Sequence, residues 1–175
     1  MSQSLKAELA RFQTVVANRK SVAQVLELFD QLSASTKFTA AAKPLCYGHL
    51  IQECAKRIPD RHLGELQDAI AKHGAARLVH QSLMDEDAEE QLRPLIVRLL
   101  KATATDAQAC YQVFLWAEES GYAPSRGHTL GMAIDGGMTH DEIDSICDLT
   151  RDLYYGDIAE LCQRASAKKL AEQPA

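Results

Sequence analysis

The chain has 175 residues, 46% of them apolar and 25% charged, with a formal net charge of −5. Its length suits one domain with a buried core, and its acidic balance argues against a general nucleic-acid binder, which needs cations to displace counterions from phosphate. The start, MSQSLKAELARF, shows no secretory signal, and the uncharged run AQACYQVFLWA is far short of the about 20 residues that a membrane span needs.

In chain order the apolar residues recur at helical steps nearly everywhere. The spacing predicts helices over about 3–17, 21–34, 40–57, 61–73, 75–84, 86–103, 106–120, 127–135, 140–155 and 157–171. Val22, Val25, Leu26, Phe29 and Leu32 form one stripe, and Leu92, Leu95, Ile96, Leu99 and Leu100 another. A third stripe runs Ile143, Ile146, Cys147, Thr150, Leu153 and Tyr154, which makes Tyr154 a core residue. No stretch alternates with period two over strand length, so the fold class is all-α: nine or ten helices in antiparallel hairpins, as an irregular bundle or a short repeat-like stack.

Starts and stops agree with that reading. Ser21 with Gln24, Thr105 with Gln108 and Thr139 with Glu142 each fit a capping box, in which the hydroxyl and the longer side chain satisfy free amides of the first turn. Gly74, Gly121 and Gly136-Gly137 fall where helices should end. Pro59 and Pro124 read as turn residues, and Pro44 moves the start of the third helix towards itself. Residues 1–175 read as a single helical domain. Any subdivision falls near MDEDAEE, residues 84–90, which reads equally well as a first helical turn. The tail AEQPA is expected to fray.

Cys46, Cys54, Cys110, Cys147 and Cys162 are odd in number, widely spaced and without a CxxC pair. They read as buried, reduced thiols of a cytoplasmic protein.

Three segments share a layout of apolar helix, short break with an aspartate, and amphipathic helix. They begin at Tyr47, Arg93 and Gly127, and their aspartates, Asp60, Asp106 and Asp141, lie 46 and then 35 residues apart. With its Gly121-Tyr122-Ala123-Pro124 turn, the stretch from Asp106 to Leu149 resembles a degenerate tetratricopeptide or pentatricopeptide unit and its neighbour. YGHLIQECAKR is similar to the first helix of such a unit. The resemblance covers about half the chain. It implies stacked helix pairs whose groove holds a peptide or single-stranded RNA. The net charge and the lack of a repeating polar pair for reading bases weigh against RNA.

Residues 121–144, GYAPSRGHTLGMAIDGGMTHDEID, are the place to look for chemistry. No strand precedes them and no phosphate-loop spacing occurs in them. His128, Asp135, His140 and Asp141, with Glu142 and Asp144, are the candidate metal or acid/base groups. Against that, Asp141 and Glu142 suit a first helical turn without any metal. Two of Cys46, His49 and Cys54 could share a metal with a distant ligand, but a Cys on an apolar stripe reads first as core. No cofactor is predicted.

Trp116, Tyr122, Arg126, His128 and Tyr155 are the candidate partner-binding residues, because Trp, Tyr and Arg anchor interfaces. The function expected is a helical protein-interaction module: an adaptor, client-specific chaperone or regulator that binds a peptide or helix of a partner. Two alternatives stand beside it, an enzyme with its site around 128–144 and a structural homo-oligomer. Gly127 and Gly131, which cost helix stability, have no explanation in the sequence.

Overall fold

The computed structural model describes residues 1–171, less the side chains at 85, 158, 161, 168 and 169. Among the described residues the chain is all-α, with nine α-helices, one 3-10 turn and no strand. The helices are α1 (Gln3–Ala17), α2 (Val22–Ala34), α3 (Ala42–Arg57), α4 (Leu63–His73), α5 (Ala75–Ser82), α6 (Asp85–Thr103), α7 (Ala107–Glu119), α8 (Arg126–Asp135) and α9 (His140–Ala171), with the 3-10 turn at Asp60–His62 between α3 and α4. The tail beyond residue 171, where fraying is expected, lies outside the described residues.

Short polar side chains set the helix starts. Ser21 and Gln24 form a reciprocal box: Ser21 Oγ accepts from Gln24 N and Gln24 Oε1 accepts from Ser21 N, both at 3.2 Å. Thr139 and Glu142 do the same at 3.2 and 2.8 Å. The third predicted box, Thr105 with Gln108, does not form. Asp106 is the cap instead, its Oδ1 accepting from Ala109 N at 3.0 Å. A carboxylate at that position both accepts from a free amide and meets the positive end of the helix dipole. α3 starts at Ala42, two residues later than the spacing alone gave, which places Pro44 in its first turn, where its missing N–H has no intrahelical partner to lose.

Two arginines complete the ends of α1 and α3, which no glycine caps. Arg57 donates to the carbonyls of Val16 (3.1 Å) and Arg19 at the end of α1. Arg98 donates to the carbonyls of Ala55 (2.8 Å) and Ile58 (2.5 Å) at the end of α3 and pairs with Asp60. Cations suit the negative end of a helix, where carbonyls lack partners.

The helices stack in two rows. One row runs α1, α3, α6, α8, each packed on the next; in the other, α2 packs on α4 and α7 on α9. Trp116 of α7 ties the halves of the second row by donating from Nε1 to Gln67 O of α4 at 3.2 Å. The extra helix α5 lies between hairpins and packs on α3, α4 and α6. It accounts for the uneven spacing of the three aspartates. Asp60 opens the 3-10 turn before α4, Asp106 caps α7 and Asp141 lies in the first turn of α9, so only the first interval contains an additional helix.

The core is continuous from Phe12 to Ile146. It runs unbroken past residues 84–90, since Val79 and Ala88 are both fully buried and belong to it. The stretch MDEDAEE supplies the first turn of α6.

The predicted break at Gly156 is absent. α9 continues through it to Ala171, and its described residues from Tyr154 onward are exposed. That half of α9 extends about 25 Å at 1.5 Å per residue. A Cβ added at Gly156 would meet no described atom within 4 Å, and at such an open position one glycine costs only about 1 kcal/mol of helix propensity and does not stop the helix.

Candidate functional site

The turn between α7 and α8 is built by backbone geometry. Gly121 takes φ +72°, which reverses the chain at the end of α7. The amides of Tyr122 and Ala123 then both donate to the Ala117 carbonyl, at 2.8 and 3.0 Å. This folds Tyr122 back into the protein, where it is 0% exposed and its hydroxyl donates to the Leu92 carbonyl. Tyr122 is therefore a core residue and not a partner-binding one, a correction to the sequence reading. A turn of this kind buries the residue after its glycine, whereas the sequence pattern placed that residue on a loop. Burial also raises its phenol pKa well above the ordinary value.

Trp116 is half-buried, with its ring centre 5.0 Å from that of Tyr122 and its N–H spent on Gln67. It bridges α7 and α4. Phe114, about 200° away around α7, faces the other way, and there the candidate site lies.

Arg126 opens α8 behind the Ser125 cap, whose Oγ accepts from His128 N at 3.2 Å. Its guanidinium is held between two rings, 5.2 Å from the centre of Phe114 and 4.8 Å from that of Tyr154. It also donates to Thr150 Oγ1 at 2.7 Å, and Thr150 donates in turn to Ile146 O at 2.8 Å. The Arg126 Nε is buried without a partner, and among the described residues no carboxylate pairs with this cation. Ring faces attract a cation but do not neutralise it.

A groove of about 320 Å3 opens beside Arg126 between α8 and α9, with Gly127, Leu130, Cys147, Arg151 and Tyr155 along its sides. Cys147, Arg151, Tyr154 and Tyr155 share one face of α9 because they lie four, seven and eight residues apart. Tyr155 is 64% exposed, as expected for a residue off the apolar stripe. Tyr154, expected in the core, is exposed: the described residues of α9 beyond Leu153 are all exposed, and Tyr154 lies over Arg126 at the edge of the core. Arg151 pairs with Asp148 one turn back, an exposed contact of little energetic weight.

The structure thus brings together Arg126 and Tyr155 of the five predicted residues. Trp116 and Tyr122 lie elsewhere, and His128 points to α6, its Nε2 2.8 Å from Glu89 Oε1 without hydrogen-bond alignment. Leu130, Arg151 and Tyr154 were missed, although the spacing of Cys147, Arg151 and Tyr154 on one helical face carried the signal.

The candidate acid/base groups of residues 128–144 are dispersed. Asp135 lies at the exposed end of α8, beside a separate cleft with Arg93 and Gln52, while His140 and Asp141 are exposed in the first turn of α9. Among the described residues no three His, Cys, Asp or Glu side chains are placed to hold one metal ion. Cys46 and Cys54 are buried, and desolvation pushes both thiols up to about 12. The same cause holds the neighbouring His49 below its ordinary pKa, which favours neutral groups in the core. Cys110 is buried as well, but Cys147 is half-exposed and Cys162 exposed, so burial holds for three of the five free cysteines.

No protein-family model, no curated protein and no solved structure matches the chain. Among the described residues no helix is long and apolar enough to cross a membrane.

Proposed function

We propose that this protein is a helical protein-interaction module, an adaptor, client-specific chaperone or regulator, and that it takes its partner at the α8–α9 end of the helix stack. The observation that carries this reading is Arg126: a cation fixed by two rings and a threonine, without an ion-pair partner among the described residues, beside a groove that an exposed tyrosine flanks. Aromatic and arginine side chains around a partly apolar recess are what interface anchors consist of. The projecting half of α9 offers further surface next to it. The two-row stack suits the tetratricopeptide-like reading, in which successive helix pairs present a shared binding surface. Five free thiols suit a cytoplasmic setting.

Native mass measurement of the protein captured gently from its host, as wild type and as the Leu130→Asp/Tyr155→Ser variant, tests this. The expected result is a polypeptide of defined mass on the wild type and none on the variant. A partner retained by the variant removes the proposed surface. A multiple of the chain mass selects the homo-oligomer, and a bound metal or metabolite selects the enzyme. A bare monomer from both counts against the module.

A further inference from the structure

α8 is the last helix of its row, and its outward face is unusual. Thr129, Met132 and Ala133 are buried against the protein. At 100° per residue, Gly127, Gly131 and Ile134 fall within roughly 60° of one another on the opposite side. A Cβ added at Gly131 would meet nothing within 4 Å, and one added at Gly127 would meet only the Ser125 hydroxyl, at 3.9 Å. Neither glycine serves a close contact inside the chain, and neither has a positive φ. Two glycines one turn apart make a shallow channel into which another helix can settle, backbone close to backbone, as small residues allow where helices cross. Leu130 and Ile134 are half-exposed apolar residues beside this channel.

The charge beside this channel is specific. Arg126 and Arg151 both line the groove, and among the described residues no carboxylate does, on a chain whose net charge is −5. The Arg126 guanidinium has no ion-pair partner among the described residues, and Arg151 is held only by an exposed aspartate that a better placed carboxylate can displace. The absence of acidic side chains from the groove matters as much as the presence of cations, because like charges across an interface repel.

Resting on the interaction-module reading, we infer that the open end of the stack takes an amphipathic helix of another protein with acidic residues beside its apolar stripe. That helix packs over Gly127 and Gly131 as the next member of the row. Its apolar residues meet Leu130, Ile134 and Tyr155, and its carboxylates reach Arg126 and Arg151. A glutamate at the Arg126 end gains a cation already fixed in place, so little side-chain freedom is lost on binding.

The test uses three labelled peptides of about 18 residues, roughly 27 Å as a helix, with one leucine stripe flanked by Glu, by Gln or by Lys. Anisotropy titrations compare the wild type with Arg151→Glu and Gly131→Gln. Both changes are at surface positions away from the core, so both variants should fold, which circular dichroism checks. The Glu peptide is expected to bind about tenfold or more tighter than the others, to weaken about tenfold with Arg151→Glu, and to lose affinity as salt is raised. Gly131→Gln is expected to weaken the Glu peptide as well. Equal affinity for the three peptides overturns the inference, as does binding that both variants leave unchanged; in the second case the interaction module stands with its surface elsewhere. No binding by any peptide overturns the inference as well, and leaves the module to the native-mass measurement. A dimer in sedimentation that Arg151→Glu dissolves also overturns it, because a second copy then occupies the site.

Discussion

The guanidinium carbon of Arg126 lies 4.8 Å from the ring centre of Tyr154, across the gap between the start of α8 and the middle of α9. The contact holds the last hairpin together at its open edge, where the core has ended. A double-mutant cycle of Arg126→Gln and Tyr154→Leu, read by urea unfolding, should give a coupling of about 1 kcal/mol, between the values for exposed and desolvated cation–π pairs. A coupling near zero would mean that Tyr154 only covers the arginine.

Tyr122 should behave as a core residue with one hydrogen bond to lose. Tyr122→Phe should destabilise by about 1 kcal/mol, because the hydroxyl is buried but the Leu92 carbonyl it meets lies within a helix. Tyr122→Ala should cost about 3–5 kcal/mol, as for other large buried rings. Thermal or urea unfolding measures both. A Tyr122→Ala variant as stable as the wild type would return this residue to the surface.

Gly48 lies where α3 approaches α6. A Cβ there would come 1.6 Å from Gln91 Oε1, and its three nearest neighbours are all atoms of that one side chain. The Gln91 oxygen is buried and unpartnered. In a Gln91→Ala background, Gly48→Ala should therefore stabilise by about 0.5–1 kcal/mol, the helix-propensity difference, and in the wild type it should gain less or lose. Equal effects in the two backgrounds would show that Gln91 is not the obstacle.

The thiols should react in order of exposure. Iodoacetamide on the native protein should modify Cys162 first and Cys147 more slowly, and should leave Cys46, Cys54 and Cys110 intact until unfolding, as mass spectrometry of the digested protein would report. The raised thiol pKa values also fix a sign. Unfolded thiols ionise near their ordinary value of 9.0, whereas folded Cys46 and Cys54 keep their protons up to about 12. The unfolded chain then binds fewer protons, so stability present below pH 9 is lost as pH rises from 9 to 12. His49 acts at the other side. Its folded pKa lies below 6.5, so stability present above pH 6.5 declines as pH falls below it. Urea midpoints across pH 5 to 10 should peak between these limits. A midpoint that rises between pH 9 and 10 would contradict the burial of the two thiols.

Much of the architecture was legible because periodicity and caps are local. The stripe from Val22 to Leu32 and the Ser21–Gln24 box need only a few neighbouring residues to be read. What failed depended on distant partners. Gly156 looks like a helix end in sequence, but whether a glycine stops a helix depends on what packs there, and among the described residues nothing lies close to it. Tyr122 looks like a loop residue until the Ala117 carbonyl captures the two amides after Gly121. Tyr154 continues a stripe whose neighbours end one residue earlier. The candidate site was half legible. Arg126 and Tyr155 were found as residue types suited to interfaces, while the groove itself depends on α8 being the last of its row, which no spacing within α8 discloses.

The central claim is that this protein engages another through its α8–α9 end. A photo-crosslinking amino acid placed at Tyr155, with a second version at Lys6 on α1, the first helix of the row that α8 ends, tests it inside the host cell. The account predicts a crosslinked product to one distinct protein from position 155, absent from position 6 and suppressed by Arg151→Glu. Crosslinks only between copies of this chain, the same product from both positions, or none from position 155 would contradict it.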